Sequence, residues 1–527
     1  QQQQQQQPEQ RKISIVDLTN CRIEEQASQI KQQQQIPKLI NFNITHSLKF
    51  QEVIPIQSQM TNNVHNFHGV DTSVAVRYDY DKCIGCNMCA KACSEYQKLG
   101  VLTVAPIRTP PFRHSISGKN HENTETTRVK MNDTNCIGCG QCITYCTAGA
   151  IQPANRCSEI MIAKQQGKTM IAVLAPSTRI GVSEAMGMPM GSSSEKQIIS
   201  GLRQLGFDYV FDNQWGADQT TIEDAEEVLK AKAAGKTPVY TSCCAAWVNL
   251  VETKYPDVLP HLSTSRSPHG ITCSCIKKFF SKDLGKRPDD LFVVGVMPCT
   301  AKKFEAAREQ LTTENAPDCD ISITSREVVE LFKEQGMAFS LEKEAELKLS
   351  EKFDEPFGQF SGSAYIFGKT AGVTESVFRY VAAKLGKEFA KENMKQKLVF
   401  ESQDKLQNIK IIDFQIGDLS LRAAVACGGA AVYELMEIHH AGKLEGVDLV
   451  EVMICPGGCV NGGGQPRLLK KQQIAQRTEG LDKHDQESAF KDCFSNQQLK
   501  NYIQEHLGDE HERHLALHTH FENRKMK

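Results

Sequence analysis

The chain has 527 residues, 40% of them hydrophobic, and a formal net charge of -2 at pH 7. At ~150 residues per domain, that length predicts roughly three or four domains. The balanced charge argues against nucleic acid or another polyanion as the main partner. The longest apolar runs, TMIAVLA and LFVVGVM, fall well short of the ~20 residues of a membrane span. The chain also carries 20 cysteines. They are clustered, with no secretory signal in view, and read as metal ligands in a reducing compartment.

Residues 1–74 are polar and Gln-rich, with a second run, QQQQ, at 32–35. Such a composition cannot bury a core, so this segment reads as a disordered leader. The first residues, QQQQQQQPEQ, lack an initiating Met. The chain therefore reads as a fragment whose targeting segment is not on view.

An internal repeat follows. VRYDYDKCIGCNMCAKAC (76–93) is echoed by RVKMNDTNCIGCGQCITYC (128–146). PIRTPPFRHSISGKNHENTETT between them reads as a loop insertion. Cys83, Cys86, Cys89 and Cys93 have the spacing C-x2-C-x2-C-x3-C, and Cys136, Cys139, Cys142 and Cys146 repeat it. This is the pattern of bacterial ferredoxins with two [4Fe-4S] clusters, in which the fourth Cys of each run serves the other cluster. The expected sets are Cys83, Cys86, Cys89 with Cys146, and Cys136, Cys139, Cys142 with Cys93. Gly85, Gly138 and Gly140 let the backbone turn tightly about the metal. The Pro usual after the fourth Cys is replaced by Ser94 and Thr147. Zinc also suits clustered thiolates, but two identical four-Cys runs favour iron and sulfur. Clusters of this kind move single electrons, so a redox reaction is expected elsewhere in the chain.

From about 168 the texture changes to strands alternating with helices. TMIAVLA, FDYVF, PVYTSC and LFVVGVM read as buried strands. SEKQIISGLRQLG, TIEDAEEVLKAKAAG and 245–255 read as the helices between them. A second set has strands KIIDFQIG, LRAAVAC and DLVEVMIC, with helices SVFRYVAAKLGKEFAK and AAVYELMEIHHAG. Such alternation predicts two α/β lobes with parallel sheet, with the cysteine motifs at the C-terminal ends of strands. The tail after about 470 is polar and charged. Its His518 and His520, without further partners, read as packing or surface residues.

Three motifs remain. TSCCAAW (241–247) holds Cys243 and Cys244, VMPCTAKKFE (296–305) holds Cys299, and EVMICPGGCVNGGGQP (451–466) holds Cys455 and Cys459. One thiolate from each of the first two and two from the last would hold another cube. In order and separation these motifs resemble the [FeFe]-hydrogenases, large-subunit type. LAPSTRIGVSEAMG (174–187), GADQTTIEDA and SGSAYIFGKTAGV resemble further segments of that family. The resemblance implies a two-lobed α/β hydrogenase domain over 168–470. A small α+β ferredoxin-like domain over 75–160 precedes it, and a small-subunit-like tail over 471–527 follows.

It further implies that Cys244, Cys299, Cys455 and Cys459 hold the [4Fe-4S] part of an H-cluster. Cys459 would bridge to a diiron centre bearing CO, cyanide and azadithiolate. Lys302 would hydrogen-bond one cyanide, and backbone at Ala175, Pro176 and Ser177 would cradle another. Met297 and Met453 would pack against the diiron unit. Cys243 would be the proton donor, continued by Asp224, Ser263 and Glu227. As a pair at i, i+3 on a predicted helix, Asp224 and Glu227 share a face.

The chain departs from the family at Asp224, where Glu is usual, and at Ala231, His269 and Ala245, where Arg, Gln and Pro are usual. These departures touch the expected proton path and no expected metal ligand. Cys157, Cys273, Cys275, Cys319, Cys427 and Cys493 read as buried small hydrophobes. Cys273 and Cys275 are the first candidates for another role.

The implied activity is reversible reduction of protons to H2 with a ferredoxin as electron partner, in a monomer matured by dedicated diiron-site factors. A non-catalytic hydrogenase-like iron-sulfur assembly factor is the alternative, and a hydrogen sensor a more distant one. The Gln tracts and fused tail suggest a eukaryotic source. For that source the resemblance implies a hydrogenosome or another mitochondrion-derived organelle, with cytoplasm as the alternative.

Overall fold

The computed structural model describes residues 70–107, 126–131, 136–347, 351–468 and 472–525. The leader expected over 1–74 thus lies outside the described residues, apart from 70–74, as does the centre of the insertion, 108–125.

In the repeat region, Val76–Asp79 pairs antiparallel with both Val70–Thr72 and Ile151–Pro153. Val76 and Tyr78 are buried and Arg77 between them is exposed, the period-2 pattern of a half-covered strand. Around them pack Ala75, Ala90, Ile143 and Ile151, with the cysteines of both repeats at the same core. The insertion is not all loop. The strands Leu102–Ile107 and Thr126–Met131, which run into its two ends, pair antiparallel. Their β-branched residues suit a strand once a partner is brought alongside, and that partner lies beyond local reading.

The first lobe is built on a four-stranded parallel sheet. Its order is Ile321–Thr324, Leu291–Met297, Thr169–Leu174, Tyr209–Asp212. Thr169–Leu174 is buried at every position, as expected of a strand covered on both faces. Glu195–Leu205 forms the predicted helix, closed by Gly206 at φ +97°, a left-handed C-terminal position that glycine takes without strain.

The predicted helix at 221–235 starts earlier than expected, at Asn213, and runs to Ala233. Asp212 caps it by accepting from the Gln214 N–H at 2.9 Å. Gly216 lets the chain at Pro268 approach, since a Cβ there would lie 2.2 Å from the Pro268 carbonyl oxygen. Asn213, Gln214, Asp218 and Gln219 are all buried, so this stretch has no polar face to reveal a helix.

The second sheet has five strands, in the order Met394–Glu401, Asn408–Ile416, Leu419–Cys427, Leu449–Met453, Val239–Tyr240. Its first three strands run antiparallel and the remaining pairings are parallel. The antiparallel part departs from the all-parallel expectation. A two-residue loop, Gly417–Asp418, joins Ile416 to Leu419. With Gly417 at φ +55°, it is the tight hairpin such a loop favours. Val239–Tyr240, read above with the first set, belongs to this second sheet. TSCCAAW therefore leaves the second sheet, and Cys243 and Cys244 come near Asp224 and Cys299 of the first lobe.

The tail forms three helices, Gln472–Glu487, Gln497–His506 and Glu510–Leu517. They pack on the two-lobed body. Tyr502 meets Trp215 with ring centroids 4.9 Å apart, and Arg477 pairs with Glu184 at 2.7 Å. Among the described residues no helix is long and apolar enough to cross a membrane.

Candidate active site between the lobes

Each repeat presents its cysteines on a turn followed by a short helix. Asn87 at φ +60° and Gly140 at φ +67° hold the same left-handed position before those helices. Asn tolerates that position better than most residues. The thiols group across the repeats. Burial, then neighbouring Cys146, Cys83 and Cys86, push the Cys89 thiol up to about 12. Burial, then Cys139, Cys136 and Cys93, push Cys142 well above an ordinary thiol. Thiols crowded and buried in this way keep their protons, and a bound cation would release them as thiolate ligands.

The second repeat is locked against the lobes. Thr300 Oγ1 donates to the Gly138 carbonyl at 2.6 Å, and Gln141 Nε2 donates to the Asn461 carbonyl at 2.9 Å. A Cβ on Gly140 would lie 2.3 Å from Thr300 Oγ1 and 2.9 Å from Gly463 Cα, so only glycine fits there. Cys139 is close enough to Cys299 and Cys455 for their charges to interact. The repeat domain thus borders the interlobe site directly.

At that site the three motifs meet. Cys244 caps the Ala245–Lys254 helix, Cys299 follows Leu291–Met297, and Cys455 and Cys459 follow Leu449–Met453. Burial and then Cys244 push the Cys299 thiol up to about 11, against Lys302 and the N–H groups of Ala301 and Lys302. Burial and then Cys299 and Cys244 push Cys455 well up. Gly457 and Gly458 carry the loop through φ +84° and +90°. A Cβ on Gly458 would meet the backbone of Lys369 and Thr370 at 2.9 Å.

Cys243 lies beside the four, near Cys244 and Cys459, and packs against the cluster of Ala217, Ala364, Phe367, Val373 and Met453. Burial and then the Asp224 carboxylate push its thiol well up. Asp224 and Glu227 both reach Ser263, whose hydroxyl lies 2.6 Å from Asp224 Oδ1 and 2.6 Å from Glu227 Oε2. Burial raises Asp224 to about 7, with Ser263 opposing and Glu227 and Glu223 adding to the rise. Its Oδ2 is buried without a hydrogen-bond partner. Such an orphaned oxygen calls for a water, here on the side away from Ser263.

Lys302 lies at this site with its donors engaged. Nζ reaches Glu305 Oε2 and Ser267 Oγ at 2.7 Å each, and the Cys243 carbonyl at 3.4 Å. The last is the weakest contact and the one a better acceptor would displace. Ala175, Pro176 and Ser177 form the start of the Pro176–Ala185 helix. Ser177 Oγ is buried without a partner, while its carbonyl accepts from Gln465 Nε2 at 2.7 Å. Met297 and Met453 are both buried.

His518, read above as a packing or surface residue, sits here as well. His518 Nδ1 lies 3.0 Å from Thr264 Oγ1, which in turn reaches Glu227. Its Nε2 lies 3.2 Å from Glu223 Oε2. No local signal in LHTHF could reveal this, because its partners lie about 250 residues away.

Three family models match the chain in register with these parts. They are the 4Fe-4S dicluster domain over 76–150, the C-terminal domain of the iron-only hydrogenase large subunit over 168–463, and the iron hydrogenase small subunit over 471–524. The chain belongs to the iron-only hydrogenase large-subunit family. The NADP-reducing hydrogenase subunit HndD of Solidesulfovibrio fructosivorans is 34% identical over 475 residues, 86% of this chain and 76% of that one. The cytosolic iron-sulfur assembly component 3 of Mus musculus is 27% identical, over 76% of this chain and 85% of its own length. Among solved structures, [FeFe]-hydrogenase HydA1 from Chlamydomonas reinhardtii matches at TM-score 0.58 and 28% identity, covering 70% of this chain and 98% of that one. These matches make the protein a hydrogenase-like iron-sulfur protein.

Proposed function

We propose that the protein reversibly reduces protons to H2 with electrons from a ferredoxin. The observation that carries this reading is Cys243. It is a fifth thiol beside four convergent ones, backed by two buried or half-buried carboxylates that share Ser263. Storing or handing on a cube requires no such chain of proton carriers. The residues also fit the implied cofactors, since four thiols converge and Ser177 Oγ lacks a partner.

Cys83, Cys86, Cys89 and Cys146 would hold one [4Fe-4S] cluster, and Cys136, Cys139, Cys142 and Cys93 a second. Cys244, Cys299, Cys455 and Cys459 would hold the H-cluster cube, with Cys459 shared with the diiron centre. When bound, that group supplies the redox chemistry that joins two protons and two electrons. Lys302, Ser177 and the first turn after Ala175 would hold its outer ligands, and Met297 and Met453 would exclude water.

The protein's own residues carry the proton. Cys243 exchanges it with Asp224 through a water on Oδ2, and Ser263 passes it to Glu227. Thr264 and His518 then lead outward, because His518 Nε2–H donates to Glu223 and leaves Nδ1 to accept from Thr264. Below pH of about 7 Asp224 holds a proton, and above it is a carboxylate. H2 evolution is therefore expected to fall as pH rises through that value. Asp224→Asn should lower the rate by about 10²-fold and abolish that inflection, as read from kcat against pH. His518→Phe should lower it by less than the ~10²-fold of a buried relay, with iron content unchanged and rate restored by added imidazole.

The direct test is H2 evolution from reduced methyl viologen by protein co-expressed with diiron-site maturases. The assembly-factor reading is favoured by the 27% identity to such a factor and predicts no H2.

A further inference from the structure

Away from the thiols discussed above, three ligating side chains converge inside the first lobe. His269, Cys273 and Cys319 place one ligand atom each within 4.8 Å of the other two, and all three are buried. His269 and Cys273 are four residues apart on the Pro268–Cys275 helix, so they share a face. Cys319 enters from the chain leading into Ile321–Thr324, beside Leu291–Met297.

The histidine is oriented for coordination. Its Nδ1 lies 3.1 Å from Glu305 Oε1, and its Nε2 is buried, makes no hydrogen bond of ordinary geometry and has the Cys319 thiol beside it. Gly295 makes room for it, since a Cβ there would lie 2.3 Å from Nε2. A carboxylate on one ring nitrogen with the other free is the arrangement of metal-ligating histidines. Cys275, two residues from Cys273, faces Arg266 and Tyr502 instead, so only one cysteine of that pair is aimed at the cluster. Packing alone explains a buried thiol, but not a carboxylate-oriented imidazole that meets two thiols at one point.

We propose that His269, Cys273 and Cys319 bind one thiophilic d10 cation, Zn2+ or Cu+, through Nε2 and two thiolates. With Zn2+ the two thiolates and neutral imidazole give no net charge, which suits a site without water. Zn2+ wants a fourth ligand; the Val293 and Ile321 carbonyls, which accept from the Cys319 thiol at 3.7 and 3.1 Å without a metal, lie beside that sulfur. Cu+ is selected by soft sulfur ligands. The site is structural and stands whether or not the protein makes H2. It lies one carboxylate from Lys302. A cation on Nε2 would leave the imidazole proton on Nδ1, directed at Glu305, which holds Lys302.

The test is metal content of the full-length, iron-loaded protein after chelator washing, with X-ray absorption at the zinc and copper edges. One zinc or one copper per chain in a shell of two sulfurs and one nitrogen or oxygen supports the proposal, and the edge identifies the ion. In Cys319→Val and His269→Gln that metal should vanish while iron is retained, and in Cys275→Ala it should remain. Wild-type protein with neither metal overturns the proposal without any variant. Zinc or copper that persists in Cys319→Val overturns it as well.

Discussion

Cys243→Ala is expected to lower H2 evolution by about 10²–10⁴-fold with iron content unchanged. The thiol is not one of the four convergent on the Cys459 loop. It packs against Met453 and Phe367, with Asp224 as the charged group that acts on it most. Ala leaves this packing nearly intact and removes the thiol that the proposed path places between the interlobe site and Asp224. Ser should not restore the rate, because a hydroxyl gives up its proton far less readily than a thiol. Both variants are read by viologen-driven H2 evolution beside iron analysis and infrared spectra. A Cys243→Ala rate within a few-fold of wild type would remove Cys243 from the path.

Arg477→Ala is expected to cost about 3–5 kcal/mol of stability, the range for breaking one side of a buried ion pair. Arg477 is fully buried and makes four hydrogen bonds. Two go to Glu184 at 2.7 and 2.8 Å, one to the Val460 carbonyl at 2.9 Å and one to the Pro466 carbonyl at 3.0 Å. Val460 follows Cys459, so the tail helix anchors the loop that brings the last thiol to the site. Ala strands Glu184 and two carbonyls together. Lys keeps the charge but not the planar fork, and should recover only part of the loss. Denaturant midpoints and hydrogen exchange at 457–466 check this. A change below about 1 kcal/mol would mean the tail is dispensable to that loop.

Local patterns were legible and long-range ones were not. The cysteine spacings, the Ser194–Gly206 helix with its glycine stop, and the buried run Leu291–Met297 are each written within a dozen residues. Asp224 and Glu227 could be paired from helix periodicity, and both do reach Ser263. Ile321–Thr324 is too short to stand out. Met394–Glu401 is mostly exposed, and its pattern gives no buried face to read. Val239–Tyr240 looked like its neighbours in sequence but joins the other sheet, because partner choice is decided by the whole lobe. His518 and the His269–Cys273–Cys319 cluster depend on contacts between distant segments. Cys273 was singled out beside Cys275, yet its actual neighbours are His269 and Cys319.

The proposed function requires that the protein carry a working diiron site. The most direct measurement is an infrared spectrum and an H2-evolution rate taken on one maturase-co-expressed, iron-loaded sample. Bands of bound CO and cyanide together with H2 production are the predicted result. All cubes present, no such bands and no H2 would contradict it, and would leave the assembly-factor reading in its place.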